Sequence, residues 1–199
     1  PGDRGVILLL HGLEGGSDSN YIKDIFAHLS SAGFQLVVLQ FRGCSGVPNR
    51  LLRTYHSGHT SDLNYVAQLI RSRFGKLTAI IGYSLGGNVL LKWLGESDRN
   101  DLLRKAIAVS VPFDLAKSAT RLGQGFSRVY QDRLIKSLQN KYLLKAKTHK
   151  LPCDENEIRR LNSFWSFDEK LTAPIHGFSN AEDYYRKSSC RQYLHKISL

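Results

Sequence analysis

The first part of the chain alternates between short apolar runs and segments whose apolar residues recur every three or four positions. The apolar runs are 6–10, 36–39, 77–81 and 106–111. They are rich in Val, Ile and Leu, which is typical of strands buried in a parallel sheet. The helical spacing covers 21–29, 63–74 and 88–94. This alternation predicts an α/β fold, with a mostly parallel sheet and helices on both faces.

Three residues mark the predicted ends of the first two helices. Gly33 and Gly75 each follow a helical segment, and glycine commonly ends a helix because it adopts left-handed backbone angles. Thr60 precedes the second segment, where its hydroxyl is predicted to cap the first turn.

From about residue 115 the pattern becomes helical only. An apolar residue recurs at every fourth position, with basic residues between, at Phe126, Tyr130, Leu134, Leu138 and Tyr142. Such a stripe fits packed helices, a lid over a site, or an amphipathic surface that faces a membrane. We therefore predict three parts: residues 1–114 as the N-terminal part of the core, 115–190 as an inserted helical cap, and 191–199 as the start of a return to the core.

A short run directly after the third strand carries the most specific chemical signal. Gly82, Ser84 and Gly86 have the G-x-S-x-G spacing, with Tyr83 and Leu85 between them. A serine hydroxyl is a weak nucleophile, so it must face a base and lie where an oxyanion can be stabilised. A tight turn from strand to helix meets both needs. Ser84 is predicted to be a catalytic nucleophile; the alternative is a glycine-lined turn that happens to contain serine.

The loop after the first strand predicts a second oxyanion donor. His11 and Gly12 open the run His11-Gly12-Leu13-Glu14-Gly15-Gly16, whose glycines permit close approach of backbone to a ligand. We predict that the amides of Leu13 and Leu85 hold the oxyanion. The alternative, a phosphate-binding loop, would need the G-x-G-x-x-G or Gly-Lys-Ser/Thr spacing, and this run has neither.

The general base is harder to place. In G-x-S-x-G enzymes of this fold, an acidic residue and then a histidine follow the serine on loops after later strands. His149, His176 and His195 follow Ser84, but none comes after a strand-like run. We expect these three, and the earlier His56 and His59, to be surface or packing residues.

Charge and cysteine content bear on the predicted binding partners and on the predicted cellular compartment. The net charge of +11 divides into +3 for residues 1–114 and +8 for residues 115–199. This excess fits a solvated face or contact with anionic lipid, whereas nucleic-acid binding has only net charge behind it and is not predicted. Cys44, Cys153 and Cys190 form no C-x-x-C pair, which favours a reducing cytoplasm over disulfides or a zinc site. No apolar run approaches the roughly 20 residues of a membrane span.

Longer stretches resemble the YheT-like branch of the alpha/beta-hydrolases, a bacterial family assigned as esterases that has lipid-active eukaryotic relatives. The matching blocks cover nearly the whole chain: 11–15, 41–46, 48–50, 55–58 with Asp62, 82–88, 125–130 and 183–185. One departure is His59, where the family tends to have an acidic residue. The resemblance implies an alpha/beta-hydrolase fold with a helical cap, and loops around Arg42 and Gly43 that support the site.

The resemblance also bears on the base, because in the family the catalytic Asp and His come after a stretch like 194–199. The chain begins at Pro1 and contains no Met, so we expect a fragment that holds the nucleophile but neither the triad Asp nor the triad His. The implied activity is hydrolysis of carboxylic esters, of lipid or short-chain acyl groups, through an acyl-enzyme and without metal or cofactor. Acyl transfer to an alcohol by Ser84 and an inactive hydrolase scaffold that serves as a binding module stay open.

Overall fold

A computed structural model provides the fold and describes residues 4–96, 99 and 101–198. The chain divides into two compact units. The first unit comprises Pro1–Phe41, Ser57–Phe113 and Ser189–Leu199, and the second comprises Arg42–His56 and Asp114–Ser188. The ends of two predicted parts, residues 1–3 of the core and Leu199 of the returning segment, lie outside the described residues.

The first unit contains a four-stranded sheet in the order β2-β1-β3-β4. All neighbouring strands are parallel, which confirms the predicted α/β class. The strands are β1 (Val6–Leu10), β2 (Gln35–Leu39), β3 (Ala79–Tyr83) and β4 (Ala106–Val109). The order places β1 and β3 side by side at the centre, so the two loops that carry the predicted chemistry leave adjacent strands in the same direction.

Among its described residues, the first unit also contains three helices and a 3₁₀ segment. They are α1 (Asn20–Ser31), α2 (Ser61–Phe74), α3 (Leu85–Glu96) and the 3₁₀ segment Cys190–Lys196. Helix α3 is buried along nearly its whole length. The 3₁₀ segment packs closely against it, so that a methyl group at Gly95 would collide with the Tyr193 carbonyl. Gly75 ends α2 with a left-handed φ of +83°, as predicted.

Two details of the predicted strands were wrong. The central strand β1 is fully buried, but β2 is only half-buried, and in β4 Ile107 is 47% exposed. These two strands have a neighbour on one side only among the described residues, so less of their surface is covered. In addition, β4 ends at Val109 rather than 111, since Ser110 has a left-handed φ of +53°.

The predicted cap of α2 was also wrong in its chemistry. Thr60 lies at the N-cap position, but its side chain makes no capping hydrogen bond. Its hydroxyl instead donates to a carboxylate oxygen of Glu96 at 2.7 Å. The threonine therefore joins the start of α2 to the end of α3.

In the second unit, residues 114–188 are mostly helical, and residues 42–56 contain no helix or strand. Its elements are α4 (Leu115–Leu122), α5 (Ser127–Ala146), α6 (Glu155–Arg160), α7 (Phe164–Phe167), a π-helical turn (Asp168–Thr172), α8 (Ala173–His176) and α9 (Ala181–Ser188). Two starts are capped by aspartate: Asp114 accepts a hydrogen bond from the Lys117 amide, and Asp154 forms a reciprocal capping box with Glu157.

The apolar stripe predicted on α5 packs over only part of its length. Leu134, Leu138 and Tyr142 are buried, as expected for a packed helix. Phe126, immediately before the helix, is 98% exposed, and Tyr130 is 54% exposed. The periodicity is therefore continuous, whereas the burial is not.

Buried polar side chains hold the 42–56 segment within the second unit. The ammonium group of Lys145 donates to the carbonyls of Asn49 and Leu51. Burial lowers the pKa of Lys145, and the nearby charge of Lys141 lowers it further. The ammonium of Lys141 in turn lies 3.2 Å from the sulfur of Cys44.

A buried carboxyl group lies in the π-helical turn. Asp168 accepts hydrogen bonds from the Thr172 hydroxyl at 2.6 Å and the Tyr185 hydroxyl at 2.7 Å. Burial raises the pKa of Asp168 to about 6, although the two hydrogen bonds act in the opposite direction.

No helix among the described residues is both long and apolar enough to cross a bilayer.

Candidate active site

Ser84 occupies a strained turn between the end of β3 and the start of α3. Its φ of +50° is left-handed, a conformation that is unfavourable for residues other than glycine. The turn is held from both sides: the Ser84 amide donates to the Val109 carbonyl at 2.8 Å, and the Ser84 carbonyl accepts from the Asn88 amide at 3.0 Å. This half-buried residue lies at the carboxyl edge of the sheet.

The two glycines of the G-x-S-x-G run lie where backbone segments approach each other closely. A methyl group at Gly82 would be 2.6 Å from the Gly86 carbonyl oxygen. A methyl group at Gly86 would be 2.7 Å from the carbonyl oxygens of both Leu10 and His11. The motif is therefore a packing requirement, in which the turn at Ser84 and the end of β1 fit together only without these side chains.

His11 fixes the loop that follows β1. Its imidazole is fully buried, and its Nε2 accepts a hydrogen bond from the Phe41 amide at 3.1 Å. Because Nε2 is the acceptor, the proton is assigned to Nδ1, which donates to the Gly12 carbonyl at 2.7 Å. The Gly15 amide donates to the same carbonyl at 3.1 Å. The peptide plane between Gly12 and Leu13 is thus held by two donors.

The loop fixed by His11 approaches the turn at Ser84. A methyl group at Gly12 would lie 3.4 Å from the Cβ of Ser84 and 3.7 Å from the Tyr83 carbonyl oxygen. The Gly12 amide donates to the Tyr21 hydroxyl at 2.8 Å, and the ring of Tyr21 packs against the ring of Tyr83 with centroids 5.0 Å apart. Burial, and secondarily Tyr21, raises the pKa of the Tyr83 phenol. The structure thus brings predicted site residues from β1 and β3 together around Ser84.

Each of the two predicted oxyanion donors directly follows one of the residues in this contact: Leu13 follows Gly12, and Leu85 follows Ser84. Leu85 is the first residue of α3, where the leading amides have no acceptor within the helix and the positive end of the helix dipole favours negative charge. Leu13 follows the fixed Gly12 carbonyl directly. Their role as oxyanion donors stays a prediction.

Asn88 is a structural member of the site that the sequence reasoning missed. Its side chain is fully buried; the amide donates to the Ser57 carbonyl at 2.8 Å and the oxygen accepts from the Cys190 amide at 2.9 Å. One turn beyond Ser84, it ties two distant segments to the helix that the serine opens. A polar residue placed between the glycines of the motif and the apolar run Val89-Leu90-Leu91 was the signal that could have identified it.

Five of the remaining predicted residues belong to the second unit. They are Arg42, Gly43, His56, His149 and His176. The His56 ring packs against the His176 ring, with centroids 4.6 Å apart, and against the aromatic rings of Phe178 and Tyr184.

Histidines of the first unit make no hydrogen bond to Ser84 among the described residues. Within the described part of that unit, none is bonded to the Ser84 hydroxyl, and His59 lies 3.9 Å from the Asp62 carboxylate instead. Across residues 4–96, 99 and 101–198, no three His, Cys, Asp or Glu side chains are grouped so that they could hold a metal ion. Within the described part of the first unit, the geometry therefore assigns no base to Ser84.

Comparisons with known proteins identify the family. Residues 5–193 match the model of the alpha/beta hydrolase fold family. The chain is 37% identical to "Putative esterase YheT" of Escherichia coli over 96% of this chain and 57% of that protein. It is 32% identical to "Monoacylglycerol lipase" of Saccharomyces cerevisiae, over 92% of this chain and 43% of that protein.

Two further similarities are more distant or name a second activity. The "Medium-chain fatty acid ethyl ester synthase/esterase 2" of Saccharomyces cerevisiae is 32% identical over 94% of this chain and 47% of that protein. The solved structure of mouse alpha/beta hydrolase domain-containing protein 10 aligns with 82% of this chain and 58% of its own at 12% identity, with a TM-score of 0.49. The chain spans about half the length of the curated relatives it matches. The family match covers nearly all of the sequence, and the resemblance to the YheT-like branch is confirmed: the chain belongs to the alpha/beta hydrolase fold family.

Proposed function

We propose that Ser84 is the nucleophile of an enzyme that hydrolyses carboxylic esters. The observation that carries this proposal is the left-handed backbone of Ser84 at the junction of β3 and α3, in contact with the loop fixed by His11. A strained serine is retained where the surrounding structure determines its conformation, and such strain is concentrated at functional sites. The names of the relatives, an esterase and a monoacylglycerol lipase, support the same reaction class.

The proposed reaction has two steps. The Ser84 oxygen bonds to the acyl carbon while a base takes its proton, and the ester alcohol leaves with a proton as the carbonyl forms again. Water then attacks the acyl-enzyme, which releases the carboxylic acid and returns the proton to Ser84. In both steps the amides of Leu13 and Leu85 donate hydrogen bonds to the negatively charged oxygen of the tetrahedral intermediate. The base is not assigned to a residue.

A fluorophosphonate probe tests the nucleophile. Labelling of the full-length protein is expected at one serine, and the Ser84→Ala variant is expected to lose the label. Ser110→Ala is the matched control, because Ser110 is an exposed serine that also has a left-handed φ but lacks the flanking glycines. Labelling that persists in Ser84→Ala would refute the assignment, and a parent protein that never labels would favour the inactive binding scaffold.

Acyl transfer to an alcohol is the second candidate, favoured by the relative whose name includes ethyl ester synthase. It uses the same acyl-enzyme and differs only in the acceptor of the acyl group. Incubating the enzyme with a p-nitrophenyl ester in water that contains ethanol, and separating the free acid from the ethyl ester by chromatography, distinguishes them. Ester hydrolysis predicts that the acid predominates at all but the highest ethanol concentrations. Predominance of the ethyl ester at low ethanol would establish transfer.

A further inference from the structure

Three large apolar side chains around the start of α5 are exposed to solvent. Phe126 is 98% exposed, Val129 is 73% exposed and Tyr130 is 54% exposed. We call these three residues the apolar tip. Positions three and four apart share one face of a helix, so Val129 and Tyr130 extend the surface that Phe126 begins. Single exposed apolar residues are common, but a contiguous group indicates a surface that contacts something.

The apolar tip is separate from the packed part of the same helix. Further along α5, Leu134, Leu138 and Tyr142 are buried within the second unit. Immediately before the tip, Gly125 turns the chain with a left-handed φ of +54°, and no atom lies within 4 Å of the place that a Cβ would occupy there. The tip therefore projects from the unit at a turn with open space around it.

The charge around the apolar tip is strongly positive. The segment 117–136 contains five basic residues, at Lys117, Arg121, Arg128, Arg133 and Lys136, and one acidic residue, Asp132. Arg128 and Arg133 are exposed on α5 itself. The Arg121 guanidinium donates to the Gln124 carbonyl at 3.2 Å and the Ser127 hydroxyl at 3.4 Å, which keeps this cation beside the start of the tip.

We propose that the apolar tip docks on an anionic lipid surface. In this arrangement Phe126 and Val129 enter the boundary between headgroups and acyl chains, while Arg128 and Arg133 remain at the lipid phosphates. The combination of exposed aromatic and aliphatic side chains with flanking arginines is the one that interfacial segments present. The proposal does not depend on the proposed ester hydrolysis, since no part of it involves Ser84.

Charge argues against the other occupants of this surface. The second unit has 17 Lys+Arg against 9 Asp+Glu, so a second copy would bring a unit of the same net charge to the contact. A nucleic acid would satisfy the arginines but would leave the aliphatic side chain of Val129 without an apolar partner. An anionic lipid surface matches both the charge and the apolar area.

Vesicle co-sedimentation tests the docking. The intact protein is expected to bind phosphatidylcholine vesicles that contain phosphatidylserine more strongly than vesicles of phosphatidylcholine alone. The double variant Phe126→Ser, Val129→Ser should weaken binding by about tenfold or more, because it removes most of the apolar area available for insertion. The matched control is Phe74→Ser, Val47→Ser, which makes the same chemical change at side chains 57% and 69% exposed and should bind as the parent does.

A second pair of variants tests the charge. Arg128→Gln with Arg133→Gln should weaken binding to the anionic vesicles by about tenfold and have little effect on phosphatidylcholine alone. Arg50→Gln with Arg160→Gln removes two exposed arginines elsewhere in the second unit and is expected to have a much smaller effect. Raising the salt concentration should reduce the difference between the two vesicle types.

Three results would overturn the proposal. The first is an intact protein that does not sediment with anionic vesicles at low salt, and the second is a Phe126→Ser, Val129→Ser variant that binds as well as the parent. The third is a lower melting temperature, or a shift in the oligomeric state, of that variant in lipid-free solution. Such a change would mean that another part of the protein or a second copy covers the tip.

Discussion

In the first unit, buried polar side chains form hydrogen bonds to backbone groups of segments that flank the strained turn at Ser84. In the second unit, buried polar side chains form hydrogen bonds to the 42–56 segment and to the end of α6. His11 and Asn88 each join two segments that meet around Ser84. In the second unit, Lys145 holds carbonyls of the 42–56 segment, and the amide nitrogen of Gln139 lies within 3.1 Å of three carbonyls at the end of α6.

This difference indicates which substitutions each unit tolerates. Around Ser84 the backbone segments are in contact, so even a methyl group has no room. In the second unit, long side chains bridge the gaps, and side chains can move when a neighbour changes. We therefore expect substitutions in the first unit to act through steric collision, and those in the second to act through charge and hydrogen bonding.

Gly86→Ala should have the largest effect. Its methyl group would lie 2.7 Å from two carbonyl oxygens at the end of β1, so the strand and α3 must separate. We expect a loss of about 3 kcal/mol or more in the free energy of unfolding, measured by urea titration. Gly123→Ala is the control: there the nearest atom is 3.5 Å from the new methyl group and little stability should be lost. Equal stabilities of the two variants would contradict the packing argument.

Asp168→Asn should change how stability depends on pH. The pKa of Asp168 is raised from 3.8 to about 6 in the folded protein, so between these values the folded state binds the proton and the unfolded state does not. Stability from this group is therefore greatest at or below about pH 4 and decreases as the pH rises to about 6, by about 3 kcal/mol in total.

Urea titrations of the parent and of Asp168→Asn at pH 4 and pH 6.5 measure this contribution. The parent should lose more stability than the variant over that interval. Asp132→Asn, an exposed position on α5, controls for the removal of one negative charge. An equal loss in the parent and in Asp168→Asn would show that Asp168 does not cause the dependence.

The three cysteines should differ in their rates of alkylation, and this is the smallest effect that we predict. The ammonium of Lys141 lies 3.2 Å from the sulfur of the half-buried Cys44, where it stabilises the reactive thiolate. Burial raises the pKa of Cys153, with Glu157 and Asp154 adding to the effect, and burial raises the pKa of Cys190 to about 11. Pulsed alkylation with iodoacetamide, followed by peptide mass spectrometry, should modify Cys44 first.

Lys141→Met should slow alkylation of Cys44 by about tenfold. Lys136→Met, at an exposed position five residues earlier on α5, should leave the rate nearly unchanged. Faster modification of Cys153 than of Cys44 in the parent would contradict the role given to Lys141.

Hydrophobic patterning predicted the sheet, because β1 and β3 are central strands whose positions are nearly all buried. It did not predict the exposure of β2, because an apolar run has the same pattern whether a strand has one neighbour or two. It also failed to separate the packed and exposed halves of the stripe on α5. Periodicity reports that residues share a helical face, but what that face meets is decided by tertiary structure.

For the candidate site, as for the fold, the sequence predicted local features but not long-range contacts. The spacing of Gly82, Ser84 and Gly86 identified the turn because the left-handed Ser84 and the close approach of Gly82 to Gly86 lie within the run itself. The contacts of Asn88 could not be predicted, since they depend on residues 31 and 102 positions away in the chain. A local motif shows where a turn forms, and long-range contacts show what holds it in place.

These contacts of Asn88 have a consequence for the order in which the protein forms. During synthesis, the ribosome releases Ser57 and Ser84 well before Cys190, so for about a hundred residues of further translation the Asn88 oxygen has no Cys190 amide to accept from. Contacts of such long sequence separation form late and slowly. The nascent chain therefore holds the strained turn at Ser84 without the Cys190 bond, and this interval is when we expect the Ser84 region to depend most on protection from aggregation.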